Sequence, residues 1–221
     1  NPARAMERRN YYVLPRMLEL GVIDRAEYEA ALAEPNNAKP HEPPVEVDAP
    51  YVAEMVRQAM EERFGADALT GGYKVVTTLK SADQNAAVAS VRNGLIEYDQ
   101  RHGWRGAEGR IEDFAILDAA GLRGALARFP TIPDLQRAVV QEVDATRAVL
   151  RTAGEAALDL PAAGLRWTGR TPAQVLKPGD VVRFRLDKDG QPQLVQLPQA
   201  QAALVSLEAE TGALRALVGG F

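Results

Sequence analysis

The chain opens with apolar positions recurring at helical spacing in two blocks, Tyr12, Met17 and Leu20 and then Ala26, Tyr28 and Leu32. Gly21 between them reads as a C-terminal stop, and Asp24 followed by Glu27 reads as a capping box for the second block. Pro15 lies inside the first block and predicts a kink or a split. The expectation is a helical hairpin over 2–32, too small to hold a core of its own. Between 34 and 50 the apolar pattern stops. Pro35, Pro40, Pro43, Pro44 and Pro50, with Asn36 and Asn37, predict a semi-extended linker.

Helical spacing returns over 51–64, where Val52, Met55, Val56, Ala59 and Met60 share one face, and Gly65 ends it. The β-branched run 73–79 alternates and predicts a strand. Ser81 with Gln84 predicts a capping box opening a helix to about residue 98, with Ala87, Val88, Val91, Leu95 and Ile96 available for burial. A glycine- and arginine-rich loop is expected over 99–109 and a short helix within 111–129. Beyond Pro130 and Pro133 the period becomes that of short strands, at 138–143, 147–152, 156–160, 165–168, 181–186 and 193–197. Pro178-Gly179-Asp180 introduces one of them and Asp187-Lys188-Asp189-Gly190 turns after it. A last hairpin pairs 202–209 with 213–218 around Glu210-Thr211-Gly212. These elements predict an α+β fold: a helical N-terminal segment, then a small β-barrel, then a terminal β-hairpin.

Composition narrows the chemistry. The 221 residues are 46% hydrophobic and 25% charged, ordinary for a folded chain, and the cysteine count of zero excludes disulfides, thiolate metal sites and a cysteine nucleophile. A net charge of −4 is the wrong sign for a bulk nucleic-acid binder. His41 and His102 lie far apart in sequence, which argues against a multi-histidine metal site. No metal and no cofactor are expected. No apolar run is long enough for a transmembrane helix. The start Asn1-Pro2-Ala3-Arg4 has no signal-peptide core, so the sequence reads as a piece of a longer or processed chain.

Candidate catalytic residues are few. Ser81, Ser90 and Ser206 are followed three positions on by Gln84, Asn93 and Ala209, so none makes the Ser-x-x-Lys spacing that places a lysine one turn from the nucleophile. Gly-x-Ser-x-Gly and Lys-Thr-Gly are absent, and the glycines of 65–74 do not make a phosphate loop. The adjacent Glu112 and Asp113 read as helix-dipole partners. No catalytic residue is assigned.

Two clusters suit a docking surface instead. Arg101, His102, Trp104 and Arg105 sit in a loop where arginine could pair with an anion and tryptophan could stack, although a loop tryptophan also serves as an anchor to the core. Arg166 and Trp167, with Arg183 and Arg185 two apart on one strand, could give the barrel a modest basic face. A single-stranded nucleic-acid-binding barrel is the alternative function this face would support. It lacks the stacking aromatics such a binder uses, and a solvated strand edge is the expected state of Arg183 and Arg185.

Two longer stretches carry a family resemblance. Thr70-Gly71-Gly72-Tyr73-Lys74-Val75-Val76-Thr77-Thr78-Leu79, with Gln84 and Asn93-Gly94-Leu95, and the run from Ala203 through Ser206, Glu210-Thr211-Gly212 and Arg215 to Phe221, resemble the class A penicillin-binding proteins. Asn1-Pro2-Ala3-Arg4-Ala5, Arg8-Arg9-Asn10 and Met17-Leu18 resemble the closing helices of that family's glycosyltransferase domain. The loop 101–106 resembles one in its Gram-negative 1A branch. More than a hundred residues separate the two long stretches, and that insertion resembles the branch's oligonucleotide-binding-fold-like (OB-like) domain.

The resemblance implies a layout: 1–33, closing glycosyltransferase helices; 34–50, linker; 51–110, helix-strand-helix connector; 111–200, OB-like non-catalytic domain; 201–221, first hairpin of the transpeptidase. It implies a non-catalytic, periplasmic segment of an inner-membrane-anchored peptidoglycan synthase. Its partners would be the two enzymatic domains and a regulator such as an outer-membrane lipoprotein activator, with neither nucleic acid nor membrane contacted by the segment. The family's catalytic motifs are not in this sequence, so no catalytic role transfers to any residue. Pro15 stands where the family usually continues a helix.

Overall fold

The computed structural model describes residues 2–35, 45–154 and 157–221. Most of the predicted linker, including His41, and the strand residue Ala156 lie outside the described residues. The chain forms two compact units, Asn1–Glu46 and Val47–Phe221.

In the first unit α1 (Pro2–Arg8) passes through a π-helical turn, Arg9–Val13, into α2 (Leu14–Glu19). Pro15 supplies no N–H and crowds the preceding turn, and the wider turn ahead of it, in which the Leu14 amide bonds back to the Arg9 carbonyl, takes up the disruption. The expected kink is therefore a π-turn inside a continuing helix. Gly21, at φ +67°, stops α2, and α3 (Arg25–Ala33) starts on the predicted capping box, with Glu27 and Asp24 exchanging bonds of 2.8 and 2.9 Å. Leu14 is the one buried hydrophobic residue among the described residues of this unit. Tyr11 and Tyr12 are largely exposed.

The second unit begins with α4 (Pro50–Phe64), ended by Gly65 as predicted. The run 73–79 is not a strand. It is extended but carries no ladder; its Thr78 hydroxyl donates to the Leu214 carbonyl of the hairpin, and just beyond it the Lys80 amide donates to the Arg215 carbonyl. β-propensity measures fit to a half-buried pleated surface, and Val76 at 84% exposure has no such surface. Helix α5 (Ser81–Arg101) runs three residues beyond the predicted end.

The OB-like part is one antiparallel sheet. Strands β1 (Gly109–Arg110), β2 (Gln136–Val143), β3 (Arg147–Arg151), β4 (Ala157–Pro161), β5 (Asp180–Leu186) and β6 (Pro192–Val195) are ordered β1-β5-β2-β3-β4, with β6 also paired to β5. Both faces of β2 are covered. Ala138 and Val140 join Ala148, Leu150, Leu160, Phe184 and Leu194 in the main core, while Val139 packs with Val181 against Leu122 and Leu126 of α6 (Ala119–Leu126). The predicted strand 165–168 is part of a 3-10 turn, Ala162–Thr168, followed by the short helix α7 (Pro172–Val175). That turn approaches β6 so closely that a Cβ on Gly164 would meet the Pro192 carbonyl oxygen. Finally β7 (Ala203–Leu207) and β8 (Leu214–Gly219) form the separate two-stranded hairpin predicted at the end.

Candidate functional site

Helix α5 is the element around which the polar side chains of the second unit are arranged. Its stripe Ala87, Val91 and Leu95 packs on Ala216 and Val218 of the hairpin, and Ile96, one position round, packs on Leu135 and Val195 of the OB-like part. Phe221 packs against both clusters. One helix thus contributes to two cores.

The same stripe carries two buried polar residues. Gln84 does not make the predicted capping box, and Lys80 rather than Ser81 precedes the first helical residue. Its amide instead behaves as a piece of strand: Nε2 donates to the Leu217 carbonyl at 3.0 Å, and Oε1 accepts from the Leu217 amide at 2.9 Å. Nε2 also reaches the Asp48 carbonyl at 2.9 Å. With Gln84 at 1% exposure, an unsatisfied edge group on β8 would be costly, and the glutamine removes that cost. At the far end Asp99, 4% exposed, receives Arg105 Nη1 at 2.6 Å. Arg92 forks between Asp48 at 3.1 Å and Asp134 at 3.3 Å, and Asn93 accepts from Arg185 at 2.9 Å.

The predicted docking residues fall around this helix in different states. Arg101 and His102 are exposed at its end, the His102 ring lying 4.3 Å from Tyr98 with Nδ1 2.8 Å from the Tyr98 carbonyl oxygen. Trp104 and Trp167 come together edge to face at 5.9 Å. Each indole N–H is used internally, on the Val175 and Leu194 carbonyls, so both rings anchor the loop and the 3-10 turn to the core. Arg105 also donates to the Leu197 carbonyl, and Gln196 fixes the loop by accepting from the Arg105 amide and donating to the Gly103 carbonyl. Arg166 is exposed.

Arg183 is not on a solvated strand edge. It is 1% exposed and forms a fork with Glu108, Nε to Oε2 at 2.6 Å and Nη2 to Oε1 at 2.8 Å, with a further bond from Nη2 to the Pro130 carbonyl at 2.7 Å. Alternation did place Arg183 and Arg185 on one side, but Arg183 there meets the segment before β1, and Arg185 meets helix α5 while staying half exposed. The basic strand face that would serve a nucleic-acid-binding reading is therefore reduced to Arg185.

Three clefts border α5 or the loop after it. One of about 190 Å³ lies between Trp104–Glu108, β5 and the end of β6. A second of about 220 Å³ lies between α5, the hairpin end and the start of α4. The third, about 320 Å³, runs along the exposed side of α5 past Pro133, Asp134, Arg185 and Phe221. Ser81 and Ser90 are not gathered with His102. Ser81 and Ser90 stand on α5 about 30 and about 18 Å up the helix from His102, at its usual rise.

Gln84, Asp99, Glu108 and Gln196 were missed as polar organisers. The first two could have been found, since 84, 87, 91, 95 and 99 form one helical stripe on which a polar residue must find a buried partner. Two turn carboxylates are also held below the ordinary range. Asp144 is lowered by the Thr146 hydroxyl and by the Thr146 and Arg147 amides, and Asp187 by the Gln191 and Asp189 amides and the Gln193 side chain. On α4, bonds from Arg57 and Gln58 lower Glu54 to about 2.

Compared with known proteins, residues 104–200 match the family described as the penicillin-binding protein OB-like domain. The chain is 42% identical over a 233-residue alignment to penicillin-binding protein 1A of Pseudomonas aeruginosa, covering 100% of this chain and 28% of that protein. It is 43% identical over 221 residues to penicillin-binding protein 1A of Haemophilus influenzae, covering 99% and 25%. A 2.6 Å crystal structure of the Haemophilus influenzae protein matches with a TM-score of 0.84 at 41% identity, covering 100% of this chain and 32% of that one. The chain spans about a quarter of the length of the curated relatives it matches.

Proposed function

The chain belongs to the class A penicillin-binding proteins and carries their OB-like domain at residues 104–200, and from this premise we propose that it is a non-catalytic connector within a peptidoglycan synthase. In this reading the parent polymerises glycan strands and cross-links their peptides, the chain lies in the periplasm, and residues 201–221 open the transpeptidase. Residues 1–33 close the glycosyltransferase. The connector sets the position of the transpeptidase hairpin and offers a docking surface to a periplasmic regulator of the outer-membrane lipoprotein kind. Of the predicted docking residues Arg183 alone is buried, and Arg101, His102, Arg166 and Arg185, whose side chains do not tie the loop or the 3-10 turn to the core, are left for such a contact.

The observation that carries this reading is the double role of α5, which shares one core with the hairpin and another with the OB-like sheet. Inserting one alanine after Gly94 in the parent protein rotates everything beyond it by about 100° relative to Ala87 and Val91. Peptide cross-linking should fall sharply while glycan polymerisation persists. Unchanged cross-linking would remove the positioning role, and a covalent adduct between the isolated chain and a fluorescent β-lactam would remove the non-catalytic one.

A further inference from the structure

The groove of about 320 Å³ along α5 has a floor of Val88, Ala89, Ile96, Leu135 and Phe221, and its size is near the lower end of the roughly 300–1,000 Å³ typical of ligand clefts, enough for one or two side chains. Its charges are unevenly answered. Arg92 meets two carboxylates, Asp48 and Asp134, so its charge is fully answered. Arg185 meets only the neutral amide oxygen of Asn93, and among the described residues no carboxylate lies within ion-pair distance of it. The wall is formed by Asp134, at φ +64° the one non-glycine residue in the left-handed region among the described residues. Its carboxylate is held on Arg92, so the surroundings maintain a backbone conformation that favours glycine, a feature concentrated at binding sites.

We propose that this groove seats a protein segment presenting an apolar side chain beside a carboxylate, with the carboxylate on Arg185 and the apolar group against Val88, Ile96 and Leu135. The inference rests on the docking part of the function proposed above and gives it a place and a charge preference. Asp134 lines the same groove, so a carboxylate is favoured at Arg185 and disfavoured beside Asp134.

The test is a methyl- and arginine-resolved NMR titration of the 221-residue chain with acetyl-Leu-Phe-Glu-amide and its glutamine counterpart. Saturable shifts are expected at the Val88, Ile96 and Leu135 methyls and at Arg185 Nε. The glutamate peptide should bind about 3- to 5-fold more tightly at low salt, the scale of a half-exposed ion pair. Arg185→Gln should erase that preference and keep the methyl shifts. Equal binding of the two peptides, or no saturable shift at these methyls, overturns the proposal. Shifts centred on the Trp104 loop instead overturn the groove while supporting docking to this chain, and an altered connector geometry would be seen in the insertion experiment and not here.

Discussion

Replacing Glu108 by glutamine should be among the most damaging single changes in the OB-like domain. Arg183 is 1% exposed and the Glu108 side chain 19%, so the guanidinium depends on this carboxylate for charge balance. Glutamine cannot complete the fork, because its amide N–H₂ faces another donor. Breaking a buried pair on one side typically costs about 3–5 kcal/mol, and the partial exposure of Glu108 lets some water reach the site, so a loss of about 3 kcal/mol is expected. For a body of this size that is roughly 6–12 °C in Tm. Arg183→Met should cost less, about 1–2 kcal/mol, since the stranded group is then the more hydrated carboxylate together with the Pro130 carbonyl. Replacing both by apolar residues should recover most of the loss. Urea unfolding followed by tryptophan emission is well placed to measure this, as both tryptophans of the chain, Trp104 and Trp167, pack against the domain's core. If E108Q unfolds within about 0.5 kcal/mol of the parent chain, the pair is not the charge lock described.

Other expectations follow from the same geometry. Gly94 lies inside α5 with nothing within 4 Å of an added Cβ, so Gly94→Ala should stabilise by about 0.5–1 kcal/mol in urea unfolding, through helix propensity alone. Gly164→Ala should destabilise strongly, because its Cβ would fall on the Pro192 carbonyl oxygen, and a variant with unchanged Tm would contradict the close approach of the 3-10 turn to β6. Gln84→Leu should cost about 2 kcal/mol by stranding the Leu217 amide and carbonyl, with faster hydrogen exchange at Leu217 before any change in the OB-like strands. Asp144, Asp187 and Glu54 all have folded-state values below their ordinary ones, so their contribution is full above the normal carboxylate range and is lost as pH falls through the lowered values. Stability should be flat from neutral pH down to about 5 and decline below it, and Asp144→Asn with Asp187→Asn should make that decline shallower.

The strands of the OB-like sheet were legible because their turns carry specific chemistry, as where Asp187 accepts from the Asp189 and Gln191 amides after β5. The α5 face and the α3 capping box were legible for the same local reason. Failures came where a distant group decided the outcome. The run 73–79 has strand propensity but forms no ladder, its Thr78 hydroxyl donating to the Leu214 carbonyl of the hairpin, and residues 165–168 are drawn into a 3-10 turn whose Trp167 seeks the Leu194 carbonyl. Ser81 and Gln84 have capping spacing, yet Gln84 is taken by Leu217, 133 residues away. Alternation gave the direction of Arg183 but could not show that Glu108, 75 residues earlier, stands opposite it. The docking residues stand out by type alone: burial sets Arg183 apart, and the indole bonds to the Val175 and Leu194 carbonyls commit the two half-buried tryptophans to the fold, whereas Arg185 remains half exposed.

Helix α5 should make the terminal hairpin and the OB-like sheet one rigid body, and the distance distribution between spin labels at Thr211, in the turn between β7 and β8, and Lys188, in the turn between β5 and β6, reads that coupling. The absence of native cysteine allows both sites to be labelled without background. A single narrow distribution, broadened by Gln84→Leu and by a one-residue insertion after Gly94, is the predicted result. A broad or two-peaked distribution in the unmodified chain would contradict the account.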